Sequence, residues 1–135
     1  MNKAIVIYGP QGSGKSTLAE EMAIKNGSTL MIGFNLLFRP FGFNRIIEMG
    51  KKLSNGFPDT LIIQDAQIKD LDTLKMFVSN EKIFVNRKGK EPIFIDTPKN
   101  VIIELQVDKL PEEILNDRRF SFLKVDDLNS SRSIN

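Results

Sequence analysis

The chain has 135 residues, 41% of them hydrophobic and 27% charged, with a formal net charge of +2. That is enough chain for one core, and too little charge to point to nucleic acid by itself. Cysteine and histidine are both absent, which excludes disulfides, thiolate and imidazole metal sites, and imidazole catalysis.

In chain order, Ala4 to Tyr8 (AIVIY) is a continuous apolar run of strand type, too short for a signal sequence, and a glycine loop follows it. Leu18 and Met22 then share a helical face, and Asn26-Gly27 supplies a stop signal. Thr29 to Phe34 reads as a second strand. NLLFRPFGF is too rich in Phe and Pro for a clear helix, and Arg39 and Phe41 within it carry no functional reading. Asn44 caps a predicted helix with Ile46, Ile47 and Leu53 inward, ended by Asn55-Gly56. Thr60 to Gln64 reads as the third strand, and Leu71, Leu74 and Val78 predict a helix from about Asp70. KIFVN and PIFID, separated by RKGKE, read as a hairpin with a basic glycine tip. Val101 to Gln106 is a fourth buried strand, and PEEIL a short helix with Pro111 at its start. Phe120 to Val125 is the last strand. Strands alternating with helices predict a mostly parallel, five-stranded α/β sheet with flanking helices, into which the hairpin is inserted. Residues 1–128 read as one domain and NSSRSIN, 129–135, as a disordered polar tail. No stretch approaches the roughly 18 apolar residues of a membrane span, so a soluble cytoplasmic protein without membrane attachment is expected.

The segment Gly9-Pro10-Gln11-Gly12-Ser13-Gly14-Lys15-Ser16 fits GxxxxGK[ST] at every fixed position, with an apolar run before it and an amphipathic helical pattern after it, beginning near Thr17. Glycines let successive backbone N–H groups turn inward to cradle phosphate oxygens, and a helix N-terminus adds its dipole. Lys15 would reach the terminal phosphates and Ser16 would hold Mg²⁺, so ATP with Mg²⁺ is the expected ligand. Asp65 lies about 50 residues further on, at the end of an apolar run, where a strand acid can hold the ion's water shell.

Three more segments complete the pattern. VNRKGKEPIFIDTP carries Arg87, Lys88 and Lys90; NVIIELQ ends in the polar Gln106; and NDRRFSF places Arg118 and Arg119 before the last strand. This order resembles the AAA+ P-loop ATPases, most closely the superfamily three helicases of small DNA viruses and phages. Nearly the whole chain takes part in the resemblance. It implies that Asp65 belongs to the Walker B acids, that Gln106 stands at the asparagine of motif C, and that Arg118 rather than Arg119 is the arginine finger. Arg87, Lys88 and Lys90 would then meet single-stranded DNA in the channel of a homo-oligomeric ring. Two departures bear on rate. The usual pair of adjacent strand-end acids is Gln64-Asp65 here, which leaves Asp65 as either the metal-side or the water-side acid, and Gln106 is one methylene longer than asparagine. A lost base lowers a rate by about 10²–10⁴-fold, so slow hydrolysis is expected. The sequence starts at its first strand, so a minimal ATPase without the segments that precede this module in helicases is also expected. The alternatives are a nucleoside or nucleotide kinase, since NGFPDT echoes the GFPRT of adenylate kinases with Asp59 in place of the arginine, and a hydrolysis-poor nucleotide-binding module.

Overall fold

The structure, a computed structural model, describes residues 4–39, 42, 58–87 and 89–125. The helix expected after Asn44, the hairpin-tip residue Lys88, the tail 129–135, and Pro40, Phe41 and Phe43 lie outside the described residues.

Five strands, β1 (Ala4–Tyr8), β2 (Thr29–Gly33), β3 (Thr60–Ala66), β6 (Asn100–Leu105) and β7 (Phe120–Lys124), form one sheet in the order β2-β3-β6-β1-β7. Every neighbouring pair is parallel, so the sheet is wholly parallel. All five strands therefore end on one side, and β6 lies between β1 and β3. The central strands read as near-continuous aliphatic runs because both faces are covered. One face carries Val6, Leu61, Ile63, Val101 and Ile103 against Leu71, Leu74 and Phe77. The other carries Ile7, Ile62 and Ile102 against Ala19 and Ala23 of α1 (Lys15–Ala23). The expected pair Leu18 and Met22 is only partly buried, because two alanines let the helix sit closest to the sheet.

Other bounds differ from the sequence expectation in informative ways. Residue Phe34 leaves β2 and starts a one-turn helix, α2 (Phe34–Leu37), whose Leu37 is buried and whose first ring packs on Phe38 at 4.7 Å. The single helix expected from Asp70 is two short ones, α3 (Leu71–Leu74) and α4 (Met76–Ser79), after a 3-10 turn at Ile68–Asp70. At their junction Lys75 is held by Asp72 at 2.7 Å and Asp117 at 3.3 Å. Phe77, rather than Val78, completes the buried face. Helix α5 (Glu112–Leu115) follows Pro111, as expected from the proline and the two acids.

The hairpin is a separate antiparallel sheet of β4 (Lys82–Arg87) and β5 (Lys90–Asp96). Its alternation is clear: Ile83 and Val85 are buried on the core, whereas Phe84 and Phe94 face outward, paired edge to face at 5.3 Å. Among the described residues, no helix is long and apolar enough to cross a membrane.

Candidate functional site

The loop after β1 is fastened at its base. Gly9 N–H donates to the Leu105 carbonyl at 3.3 Å, and Val125 N–H donates to the Tyr8 carbonyl at 2.8 Å. A Cβ at Gly9 would collide with the Val125 carbonyl, which accounts for glycine there. Gly12 and Gly14 take φ of 77° and 89°, the left-handed region that L side chains avoid. Gly14 is also the N-cap of α1, where no side chain caps the helix and no acid occupies the first turn. Its leading amides and dipole are therefore directed at the loop.

Lys15 folds across this loop, donating to the Gly9 and Pro10 carbonyls at 3.1 and 2.8 Å and to Ser13 Oγ at 3.4 Å. Partial burial lowers its pKa, while Glu104 and Asp108 pull it back up. Gln11, Gly12 and residues 14–17 form one wall of a cleft of about 350 Å³, and Gln64, Asp65, Glu104 and Gln106 form the other.

That second wall is built by two adjacent strand ends. Registers on β3 and β6 run Ile63 to Ile103 and then Ala66 to Leu105, so Gln64 and Asp65 together oppose Glu104 in a bulge. Asp65 takes φ 59° there, and the bend turns both consecutive side chains to the cleft. Ser16 Oγ donates to Glu104 Oε1 at 2.7 Å and accepts from Gln64 Nε2 at 3.2 Å. Glu104 is only 5% exposed. Burial pushes its pKa up, against the opposing pull of Ser16, Lys15 and Gln64. Gln106, just past the end of β6, donates through Nε2 to Gln11 Oε1 at 3.3 Å.

Lys15, Ser16, Asp65 and Gln106 thus line one cleft, as do Gln11, Gly12, Gly14 and Thr17 of the loop. Gly9 and the buried Ser13 support it from beneath, while Pro10 is exposed at its edge. Arg118 and Arg119 are elsewhere: they precede β7, whose Phe120 pairs with Ala4 at the start of β1. About five residues of strand, roughly 16 Å, separate that end from the loop. Arg119 bonds Asp117 at 3.5 Å. Arg87 and Lys90 are register partners across the hairpin tip, where Gly89 turns with φ 70°, and Lys90 does not line the cleft.

Glu104 is the residue that sequence reading passed over. Its signal was a charge inside an otherwise apolar strand, NVIIEL, a position that needs a polar partner. The chain does fit a phosphate-bound divalent cation: glycine-shaped amides, a lysine, a serine hydroxyl and a buried carboxylate converge, and Glu104 Oε2 has no hydrogen-bond partner among the described residues.

Fold and site together define a parallel α/β protein with a glycine-rich loop and a cleft at the C-terminal ends of its strands. The chain belongs to a family of unknown function, DUF5906, which it matches over residues 7–119. No curated protein sequence matches it. Among solved structures, the apo C-terminal region of NrS-1 superposes with a TM-score of 0.62 at 20% identity, over 94% of this chain and 30% of that one. A JCV helicase bound to a thiazolopyridine compound gives 0.58 at 18% identity, over 98% and 39%. A further JCV helicase structure gives 0.57 at 17%, over 93% and 35%. These likenesses establish a helicase-like fold, and the chain spans about a third of the length of those chains.

Proposed function

We propose that this chain binds Mg²⁺-ATP in the loop Gly9–Thr17 and hydrolyses it slowly, as an AAA+ ATPase of the superfamily three helicase type acting on nucleic acid. The observation that carries the reading is the convergence on one serine: Ser16 Oγ touches Glu104 and Gln64 while Lys15 and Asp65 line the same cleft. Bound Mg²⁺ supplies charge neutralisation for the phosphates. The loop amides and the α1 dipole hold the polyphosphate, and Lys15 leaves its loop carbonyls for the terminal phosphates. Asp65 faces the open side of the cleft as the acid for the attacking water. Gln106 orients that water or the terminal phosphate from the neighbouring strand end.

Arg118 acts on the next copy's nucleotide, since its own loop lies at the other end of the sheet, and a guanidinium suits phosphate oxygens. Arg87, Lys88 and Lys90 contact the nucleic-acid backbone from the hairpin. In this reading Lys88→Ala with Lys90→Ala weakens single-stranded DNA binding and flattens its salt dependence, because fewer counterions are released. An unchanged salt slope removes the hairpin from the mechanism.

The deciding test of the nucleotide reading is Lys15→Ala with ATP titrated calorimetrically. Loss of a charged partner of the phosphates should weaken binding about 100-fold, near 2.7 kcal/mol. Equal affinity would remove the assignment. Tight ATP binding without phosphate release in the unsubstituted chain would favour the hydrolysis-poor alternative.

A further inference from the structure

The carboxylate beside Ser16 comes from β6, although the strand-end acid legible in the sequence is on β3. At the β3 position nearest Ser16 stands Gln64, an amide that brings no charge and bonds the hydroxyl at 3.2 Å. Glu104 accepts from the same hydroxyl at 2.7 Å through Oε1. Its second oxygen, Oε2, is buried and unpartnered among the described residues, and the residue is 95% removed from solvent on the figure of 5% exposure. A buried carboxylate oxygen without a donor is costly, and a divalent cation beside the serine would satisfy it.

From this juxtaposition we infer that Glu104 is the metal-side carboxylate of the cleft, standing in from the neighbouring strand for the acid that Gln64 lacks. The inference rests on the nucleotide reading above and settles the division of labour within it. The bulge in β3 sets Gln64 and Asp65 opposite Glu104. A carboxylate at position 64 would face Glu104 across the strands and repel it. An amide there instead holds Ser16 in place, which explains why β3 carries glutamine before its acid. Asp65, exposed on the left-handed turn of the bulge, is then left for the water side. The acid pair is thus divided between two strands, one member toward Ser16 and the other toward the open cleft.

The experiment compares ATP affinity of the full chain in Mg²⁺ and in EDTA, by calorimetry, for the unsubstituted protein, Glu104→Gln, Asp65→Asn, and Glu104→Gln combined with Gln64→Glu. Thermal melts establish that each variant is folded. Glu104→Gln should lose at least tenfold of the enhancement that Mg²⁺ gives, with affinity in EDTA equal or higher because a negative charge is gone. Asp65→Asn should keep most of the enhancement, and the double variant should regain it by restoring a carboxylate on β3. Should Glu104→Gln fail to fold, Glu104→Asp carries the same readout, with the charge kept but its oxygens drawn back from Ser16. Full Mg²⁺ enhancement in Glu104→Gln or Glu104→Asp, or its loss in Asp65→Asn alone, overturns this inference and leaves nucleotide binding standing. Absence of ATP binding by the unsubstituted chain in both media overturns the nucleotide reading and this inference with it.

Discussion

At Asp65 the backbone turns left-handed, with φ 59°, the only described non-glycine residue to do so. Such a conformation is strained by about 1–3 kcal/mol for most residues, less for Asp and Asn, whose short polar side chains tolerate it. The strain coincides with the bulge that turns Gln64 and Asp65 to the cleft beside the glycine loop, so local geometry and the proposed chemistry meet at one residue. Two substitutions separate them. Asp65→Asn should leave the urea unfolding midpoint nearly unchanged and lower ATP turnover by about 10²–10⁴-fold through loss of the base. Asp65→Val should also destabilise, by about 1–3 kcal/mol, because a β-branched residue resists positive φ. Full turnover in the asparagine variant would take Asp65 out of the chemistry.

Among the elements, the starts of β2, β3 and β6 are tied by one aspartate just before β3. Asp59 Oδ2 accepts from Ser28 N–H at 3.1 Å and from Ser28 Oγ at 3.3 Å. The Asp59 N–H returns a bond to Ser28 Oγ at 2.9 Å, and its carbonyl accepts from Asn100 N–H at 3.0 Å. The Ser28 amide, above all, holds the carboxyl below its ordinary pKa; partial desolvation opposes this, and Lys99, at 3.6 Å, adds to the lowering. A folded-state pKa below the unfolded value means stability present above about pH 4 and lost as pH falls through the lower, folded value. Asp59→Asn should therefore unfold at lower urea than the unsubstituted chain at pH 7, with the two midpoints converging near the acid end. Parallel midpoint curves across that range would show that the strand-start network does not depend on the charge. The kinase echo in NGFPDT has a structural account here: its aspartate fastens strands.

Across the whole molecule, the sheet separates two groups of functional candidates. The glycine loop, Asp65, Glu104 and Gln106 gather at the C-terminal ends of the strands, whereas Arg118 and Arg119 sit at the opposite end, before β7. No single copy can bring Arg118 to its own loop without dismantling β7. If Arg118 serves a neighbour, mixing Arg118→Ala with Lys15→Ala, each inactive alone, should restore part of the turnover, because some interfaces then pair an intact loop with an intact arginine. Activity should also rise with protein concentration faster than linearly. Failure of the mixture to exceed either variant would exclude the arrangement.

What the sequence by itself determined were features whose parts are contiguous. The glycine-rich loop between β1 and α1 is one run of residues, and its glycines, lysine and serine needed no distant partner to be read as a loop entering a helix. The central strands were legible for the same reason, as short aliphatic runs buried on both faces, and the hairpin as two alternating runs around a glycine. Only the tertiary structure decided which strand lies next to which. Strand order puts β6 between β1 and β3, and so brings Glu104 to Ser16 from 88 residues away. It also puts the β3 bulge opposite that glutamate. Hydrogen bonds between strands carry no mark in the local pattern of either one, so the acid on the serine stayed hidden inside an apolar run until its neighbours were known.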